Sequence, residues 1–158
     1  MGNTKGKILF VDDDAFLRKV YKSELSEHGY DVILAIDGEE GLEKARISDP
    51  DLIILDMIMP RKNGFEVLTE LQHHQSTKNI PVIILSNLGQ DDDIKKGLDL
   101  GAVDYLVKDN ITLTIIIEKI SHYLNSKTKS KQANIKNHYS EDKEYGSHKK
   151  DSHNQSKL

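Results

Sequence analysis

Apolar residues along this 158-residue chain cluster in five short runs, separated by longer segments of mixed character. Four of the runs are rich in isoleucine and valine, which favour extended structure. Because each run is apolar almost throughout, it is typical of a strand that is covered on both faces of a sheet. The predicted strands are Lys7–Val11, Asp31–Ala35, Asp51–Leu55, Pro81–Leu85 and Val103–Val107.

The segments after the strands carry apolar residues three or four positions apart, which predicts amphipathic helices. In the first helix we expect Phe16, Val20 and Leu25 to face the sheet, and Gly29 to end the helix. The alternation predicts an α/β fold, a doubly wound parallel sheet of five βα units. The predicted helices are Ala15–His28, Gly38–Ile47, Gly64–Gln75, Gln90–Leu100 and Thr112–Asn125.

Charge divides the chain into an acidic body and a basic tail. Residues 126–158 contain eight lysines and four acidic residues, a balance of +4, and the whole chain carries −4, so residues 1–125 carry −8. The tail is also poor in apolar residues, so it could not bury enough surface to offset the entropy of ordering. We therefore predict a single folded domain, residues 5–125, and a disordered, lysine-rich tail, residues 126–158, whose histidines are not expected to bind metal.

Several kinds of protein are excluded by what the sequence lacks. It contains no cysteine, so disulfides and thiolate metal sites are impossible. It has no run of about 18 apolar residues that could span a membrane, and Met1–Gly6 lacks the apolar region of a signal peptide. We therefore expect a cytoplasmic location without membrane contact.

Polar side chains follow four of the five predicted strands. The carboxyl ends of parallel strands meet at one edge of the sheet, where the ligands of such folds bind. We therefore expect these side chains to lie together and to form the functional site. They are Asp12, Asp13 and Asp14 after the first strand, Asp56 after the third, Ser86 after the fourth and Lys108 after the fifth.

Three carboxylates at one edge, Asp12, Asp13 and Asp56, would repel one another unless they held protons or bound a cation. Oxygen ligands without histidine or cysteine favour a hard ion, so Mg²⁺ is predicted, and Mn²⁺ could substitute. Lys108 and Ser86 would add a positive charge and a hydroxyl donor, which suits a phosphoryl group. Asp56 is central among the strands, and its carboxylate could attack phosphorus to give an acyl phosphate.

In their order and spacing, these residues resemble the receiver (CheY-like) domains of two-component response regulators, and the resemblance covers roughly residues 5–125. Ile8–Asp14 resembles the metal-holding motif of that family. Asp51–Pro60, with Asn63 and Gly64, resembles its phosphoacceptor strand and loop. The resemblance implies a flavodoxin-like strand order, 2-1-3-4-5.

The resemblance also implies how the site residues divide the work. Asp56 would be the phosphoacceptor and would bind the metal together with Asp13. Asp12 would act through metal-bound water, and Ile58 would supply a backbone carbonyl to the metal. The chain would then be a signalling domain that assists its own phosphorylation and dephosphorylation, not an enzyme acting on other molecules.

A conformational switch is implied as well. Lys108 and Ser86 would contact the new phosphoryl charge, and movement of Ser86 toward it would vacate space for Tyr105. This would alter the face made by the fourth helix, the fifth strand and the fifth helix, through which the protein would signal. One isoleucine of residues 115–117 is expected to point outward, because adjacent helical residues are turned about 100° from each other, and it is a candidate partner contact.

Several positions near the site depart from the family pattern. Asp109 follows Lys108 where the family usually has proline, so we expect a trans peptide or a reshaped loop there. Asn87 stands where the family favours alanine or glycine. Ile58 and Leu88 occupy places that tune hydrolysis of the acyl phosphate, and because neither side chain can orient water, slow autodephosphorylation is predicted.

By this resemblance, a sensor histidine kinase or a histidine phosphotransfer protein of a bacterial-type system would phosphorylate Asp56. The downstream target would be an unknown protein, and the chain would be a monomer or a phosphorylation-dependent homodimer without a DNA-binding domain. The main alternative is a scaffold of receiver fold that is not phosphorylated. The aspartates after the first strand disfavour an FMN-binding flavodoxin, and Ile58 disfavours an aspartate phosphohydrolase, which commonly has a second aspartate at that position.

Each candidate residue also has a purely structural interpretation. Asp14 lies nearest to the first helix and can cap it, which would leave the preceding pair free for metal. The structural interpretations are helix capping for Asp12 and Asp13, an Asx-turn for Asp56, a turn residue for Ser86 and packing at the sheet edge for Tyr105.

Overall fold

The computed structural model describes residues 3–126, and the chain divides into two units, residues 1–121 and 122–158. In the second unit the described residues, 122–126, are helical. The first unit contains the sheet. Its strands are β1 Lys7–Val11, β2 Asp31–Ala35, β3 Leu52–Leu55, β4 Val82–Ser86 and β5 Asp104–Val107. Its helices are α1 Ala15–Glu27, α2 Gly38–Ser48, α3 Gly64–His73, α4 Asp91–Asp99, the 3₁₀ turn Lys108–Asn110, and α5, which occupies residues 113–121 of this unit.

The predicted strands and helices are confirmed, with each end within two residues of its expected position. The predicted domain bounds, 5–125, stay a prediction. The tail is predicted to be disordered from residue 126, but Ser126 is helical. The rest of that prediction, with the histidines of the tail, falls on residues 127–158, which lie outside the described residues. Among the residues described, no helix has the length and apolar character needed to cross a membrane.

The strands form one parallel sheet in the order β2-β1-β3-β4-β5, as the resemblance implied. Val11 of β1 pairs with Leu55 of β3, so the residues that follow them, Asp12 and Asp56, are neighbours at the carboxyl edge. The backbone N–H of Asp56 donates to the carbonyl of Val11 at 3.0 Å and continues the pairing one step further. The register of the two central strands therefore brings the carboxylates together.

Helices cover both faces of the sheet. Alternate side chains of β1 point to opposite faces, so Leu9 and Val11 join an apolar cluster that includes residues of α2 and α3. Phe10 points the other way and stacks on Tyr21 of α1, with ring centroids 4.6 Å apart. The doubly wound arrangement is therefore confirmed.

The prediction that Phe16 faces the sheet is wrong, because this side chain is 72% exposed. Successive residues of a helix are turned by about 100°, so Phe16 and Leu25, nine positions apart, lie on opposite sides of α1. Leu25 is fully buried as predicted, Val20 is half-buried, and Tyr21, four positions before Leu25, packs against Phe10 of β1. Gly29 follows the helix with a φ of +95°, a conformation that glycine adopts without strain.

The first three helices begin at side chains that accept backbone N–H groups. Asp14 accepts from Phe16 and Leu17 at 2.9 and 3.1 Å. Asp37 accepts from Glu40 at 2.9 Å, and Asn63 accepts from Glu66 at 3.0 Å. Such caps typically contribute about 1 kcal/mol each, and here each of them also fixes a loop at the carboxyl edge. Asp14, Asp37 and Asn63 are thus the N-caps of α1, α2 and α3.

Candidate functional site

Three carboxylates meet at the carboxyl edge of the sheet, as the sequence predicts. Oxygen atoms of Asp12, Asp13 and Asp56 lie within 4.8 Å of one another. Asp12 and Asp56 are buried, with 1% and 5% of their surface exposed, whereas Asp13 is exposed. One side of the cluster is therefore packed inside the protein, and the other opens to solvent.

Lys108 extends from the end of β5 to the two buried carboxylates. Its Nζ atom lies 2.7 Å from Oδ2 of Asp12 and 3.3 Å from Oδ2 of Asp56. One ammonium group cannot balance three carboxylates, so the cluster keeps two negative charges when all four groups are ionised. A divalent cation would neutralise that remainder.

The pKa values of Asp12 and Lys108 are both raised, which reflects the same excess of negative charge. Burial raises the pKa of Asp12, and the charge of Asp56 raises it further, against hydrogen bonds from Lys108 and from the backbone N–H of Asp14. Burial alone would lower the pKa of Lys108, but the hydrogen bonds and negative charges of Asp12 and Asp56 outweigh burial and raise it. The pocket therefore favours positive charge, whether as a proton or as a metal ion.

The donor set fits Mg²⁺. All three side chains offer carboxylate oxygens, which are the ligands that this ion prefers. Opposite oxygens of an octahedral Mg²⁺ site lie about 4 Å apart, because each bond is about 2.0–2.1 Å long. Oxygens within 4.8 Å of one another could thus reach one ion directly or through a bound water.

The loop after Asp56 holds this side chain in place. The backbone N–H of Ile58 donates to Oδ1 of Asp56 at 3.3 Å, so the Asx-turn contact and the contact with Lys108 coexist on one carboxylate. The N–H of Gly64 donates to the carbonyl of Met57 at 2.9 Å. A Cβ atom on Gly64 would lie 2.3 Å from the carbonyl oxygen of Asp56, so glycine is required for this approach of α3.

Ser86 and Tyr105 are both buried and are joined through the backbone of Leu88. The N–H of Leu88 donates to Oγ of Ser86 at 3.3 Å, and its carbonyl accepts a hydrogen bond from the Tyr105 hydroxyl. Burial, together with the negative charges of Asp93 and Asp56, raises the pKa of Tyr105 to about 12, so the phenol stays a donor. The sequence draws attention to the side chain of Leu88, but nothing in it indicates this role of the backbone.

The departures from the family pattern leave Lys108 in contact with the carboxylates. The described residues contain no cis peptide bond, so the expected trans peptide before Asp109 is confirmed, and the chain turns there as a single 3₁₀ turn. Asp109 and Asn87 are exposed, and Leu88 is half-buried. The Ile58 side chain is 57% exposed beside the site.

The residues that hold the loops of the site are not among those predicted from the sequence. Nη1 of Arg18 donates to the carbonyl of Asp12 at 2.7 Å, and Arg61 forms an ion pair with Asp37 at 2.8 Å. Aspartate followed by Gly38 at the start of a helix is a capping signal in the sequence. Nothing in the sequence identifies an arginine 24 positions later as the partner of Asp37.

Comparison with known proteins gives one family. The family described as "Response regulator receiver domain" matches residues 8–121. The "DNA-binding dual master transcriptional regulator RpaA" of Synechocystis sp. is 42% identical over 102 residues, which cover 65% of this chain and 42% of that protein. The "Alkaline phosphatase synthesis transcriptional regulatory protein PhoP" of Bacillus subtilis gives the same identity and coverage. The chain therefore spans less than half the length of these relatives.

Solved structures agree with this family. The receiver domain of the Francisella response regulator 1452 is 31% identical, with a TM-score of 0.72, and the match covers 77% of this chain and 98% of that one. Chemotaxis protein CheY4 of Vibrio cholerae is 30% identical, with a TM-score of 0.69, over 74% of this chain and 97% of that one.

Replacement of Lys108 by methionine tests the electrostatics of the site. In metal-free protein at neutral pH, Lys108→Met should lower the free energy of unfolding by about 3 kcal/mol, because two buried carboxylates lose their counterion. Loss of the lysine raises the pKa of Asp12 further. The difference in free energy of unfolding between variant and wild type should therefore grow as the pH rises through the pKa values of Asp12 in the two proteins, and it should shrink in acid. Urea unfolding at neutral and acidic pH measures it.

Lys119→Met is the matched control. Its Nζ lies 3.1 Å from Asp104, but its side chain is 42% exposed, so the loss should be small at both pH values. Equal destabilisation by Lys108→Met at neutral and acidic pH would contradict the electrostatic explanation.

Proposed function

We propose that this chain, which belongs to the response regulator receiver domain family, accepts a phosphoryl group on Asp56 from a phosphohistidine. The family consists of phosphoacceptor signalling modules and not of classical enzymes. The proposal is supported above all by the position of Asp56 beside two further carboxylates and Lys108. A sensor histidine kinase or a histidine phosphotransfer protein would be the donor.

Asp13 and Asp56 would bind Mg²⁺ directly, Asp12 would act through metal-bound water, and Ile58 would contribute its backbone carbonyl. An acidic triad of this kind is typical of the Mg²⁺ site in receiver domains. The bound ion, or Mn²⁺ in its place, would neutralise charge on the phosphoryl oxygens.

In the transfer step, a carboxylate oxygen of Asp56 attacks phosphorus and forms an acyl phosphate. The phosphorus–nitrogen bond of the donor breaks, and its electron pair returns to the imidazole nitrogen. A carboxylate attacks without losing a proton, so no protein base is required. Lys108, 3.3 Å from the attacking group, and the N–H of Ile58, at the same distance, lie where they could stabilise charge on the transferred group.

The new charge of about −1.5 to −2 would act through Ser86. If the Ser86 hydroxyl turned toward the phosphoryl group, Leu88 would lose the partner of its N–H group. Since Tyr105 binds the carbonyl of the same residue, the change would reach β5 and the face formed by α4, β5 and α5. Ile115 of α5 is 41% exposed and is a candidate contact for a protein target or for a second copy of the chain.

A scaffold that is not phosphorylated is less well supported. That alternative rests on Asp109 and Asn87, which depart from the family pattern. Both residues are exposed, and Lys108 contacts Asp12 and Asp56 although Asp109 follows it.

Incubation with acetyl phosphate and Mg²⁺ tests the phosphoacceptor. Wild-type protein should gain the mass of one phosphoryl group, whereas Asp56→Ala and a sample with excess chelator should gain none, because nucleophile or metal is missing. Intact-mass spectrometry measures the change. No gain from either acetyl phosphate or a phosphorylated histidine donor, in folded protein with ample Mg²⁺, would contradict the proposal.

The lifetime of the acyl phosphate tests the tuning positions. Ile58 and Leu88 cannot orient an attacking water, so phosphorylated wild-type protein should persist well beyond seconds, and Ile58→Asn and Leu88→Glu should each release phosphate faster. Ile47→Asn, at a 74% exposed position outside the site, is the control and should leave the rate unchanged. A wild-type lifetime of seconds that neither variant alters would oppose the prediction.

A further inference from the structure

We infer that Asp37 and Arg61 are positioning residues, which hold the loop between Asp56 and α3 in the shape that the metal site needs. This loop, residues 57–63, contains the carbonyl of Ile58. The inference rests on the proposed function, because the loop matters for metal only if the acidic triad binds one.

The ion pair between these residues is tightly defined. Nε and Nη2 of Arg61 lie 2.9 and 2.8 Å from the same oxygen, Oδ2, of Asp37. The other oxygen of Asp37 accepts the N–H of Glu40 as the N-cap of α2. The hydrogen bond from the Glu40 N–H has the largest effect on the pKa of Asp37 and lowers it, and the contact with Arg61 lowers it further. Together they outweigh burial, which would raise the pKa, so the carboxylate is ionised at neutral pH. The pair therefore ties the loop to the start of α2.

The backbone of Arg61 is in a conformation that arginine rarely adopts. Its φ angle is +67°, in the left-handed region. Side chains with a Cβ atom are strained there, and arginine lacks the short polar group that helps asparagine or aspartate tolerate it. The two contacts with Asp37 compensate this strain. Without these contacts, the backbone of Arg61 would relieve its strain by leaving the left-handed region, and the loop would change shape.

A second contact joins the same two segments. A Cβ atom on Gly38 would lie 2.3 Å from the carbonyl oxygen of Lys62, so α2 touches the backbone of the loop directly. Two consecutive residues at the start of α2 therefore hold two consecutive residues of the loop. Their common effect is to fix the path of the chain from Asp56 to Asn63, the N-cap of α3.

Arg61 lies three residues after Ile58, whose N–H binds Asp56 and whose carbonyl is the proposed metal ligand. Relaxation at Arg61 would displace the Ile58 peptide and spoil the ligand set. Loss of Arg61 should therefore weaken metal binding. Loss of its charge alone would have the opposite effect, because removal of a positive charge near an acidic pocket should strengthen cation binding.

Titration of ¹⁵N-labelled protein with Mg²⁺, read from amide chemical shifts, tests the inference without any phosphorylation. Arg61→Ala should bind Mg²⁺ roughly 10-fold more weakly than wild type, the lower end of effects seen for groups that orient metal ligands. Arg61→Gly should stay within about 2-fold of wild type, because glycine adopts a positive φ without strain and needs no ion pair.

Two further variants serve as controls. Lys62→Ala removes the same charge from the neighbouring residue, whose partner is Glu70 at 2.6 Å, and should not weaken binding. Asp37→Asn keeps an oxygen to cap α2 but loses the charged pair, and should weaken binding as Arg61→Ala does. The double variant Asp37→Asn/Arg61→Ala should be no weaker than either single variant.

The outcomes separate this inference from the proposed function. If wild type binds Mg²⁺, Asp13→Asn does not, and Arg61→Ala binds as wild type does, the positioning role is overturned while the metal site stands. Equal weakening by Arg61→Ala and Arg61→Gly would also overturn it, because the ion pair would not be acting through the backbone. No Mg²⁺-dependent shifts in wild type would overturn the proposed metal site together with this inference. Arg61 is 58% exposed in its side chain, so the variants should fold, and dispersed amide spectra check this.

Discussion

Repulsion between carboxylates at the carboxyl edge of the sheet is the constraint on which the rest of the site depends. Asp12 and Asp56 are buried side by side, Asp13 lies within reach of both, and Lys108 is the cation that contacts the buried pair. Burial makes each charge more costly, which the raised pKa of Asp12 reflects. The lysine alone therefore leaves the cluster with excess negative charge, which a divalent cation would neutralise.

The fold keeps these charges together through strand register and through contacts between loops. Pairing of Val11 with Leu55 makes Asp12 and Asp56 neighbours, and no local property of either residue is needed for that. The loops beyond the strands are then fixed by helix caps and by close backbone approaches, such as that of Gly64 to Asp56. Leu88 connects the site to β5, because its backbone N–H donates to Ser86 and its carbonyl accepts from Tyr105. A movement of Ser86 would therefore be transmitted to Tyr105 through Leu88.

Much of this could be predicted from the sequence, because strand ends of a parallel sheet share one edge whatever the details of packing. That rule was sufficient to predict that Asp12, Asp56 and Lys108 lie close together. The prediction for Phe16 failed because residues nine positions apart lie on opposite sides of a helix, so Phe16 does not share a face with the buried Leu25. The pair of Asp37 with Arg61 could not be predicted either, because it depends on the three-dimensional path of two loops and on a left-handed backbone at Arg61.

The most direct test of the central claim is the pKa of the Asp12 carboxyl group, measured by ¹³C NMR with and without Mg²⁺. In metal-free protein we expect a pKa above the ordinary value of 3.8, because burial and the charge of Asp56 outweigh the contact with Lys108. Addition of Mg²⁺ should lower this pKa, since the ion supplies the missing positive charge. A pKa at or below the ordinary value without metal, unchanged by Mg²⁺, would contradict the account.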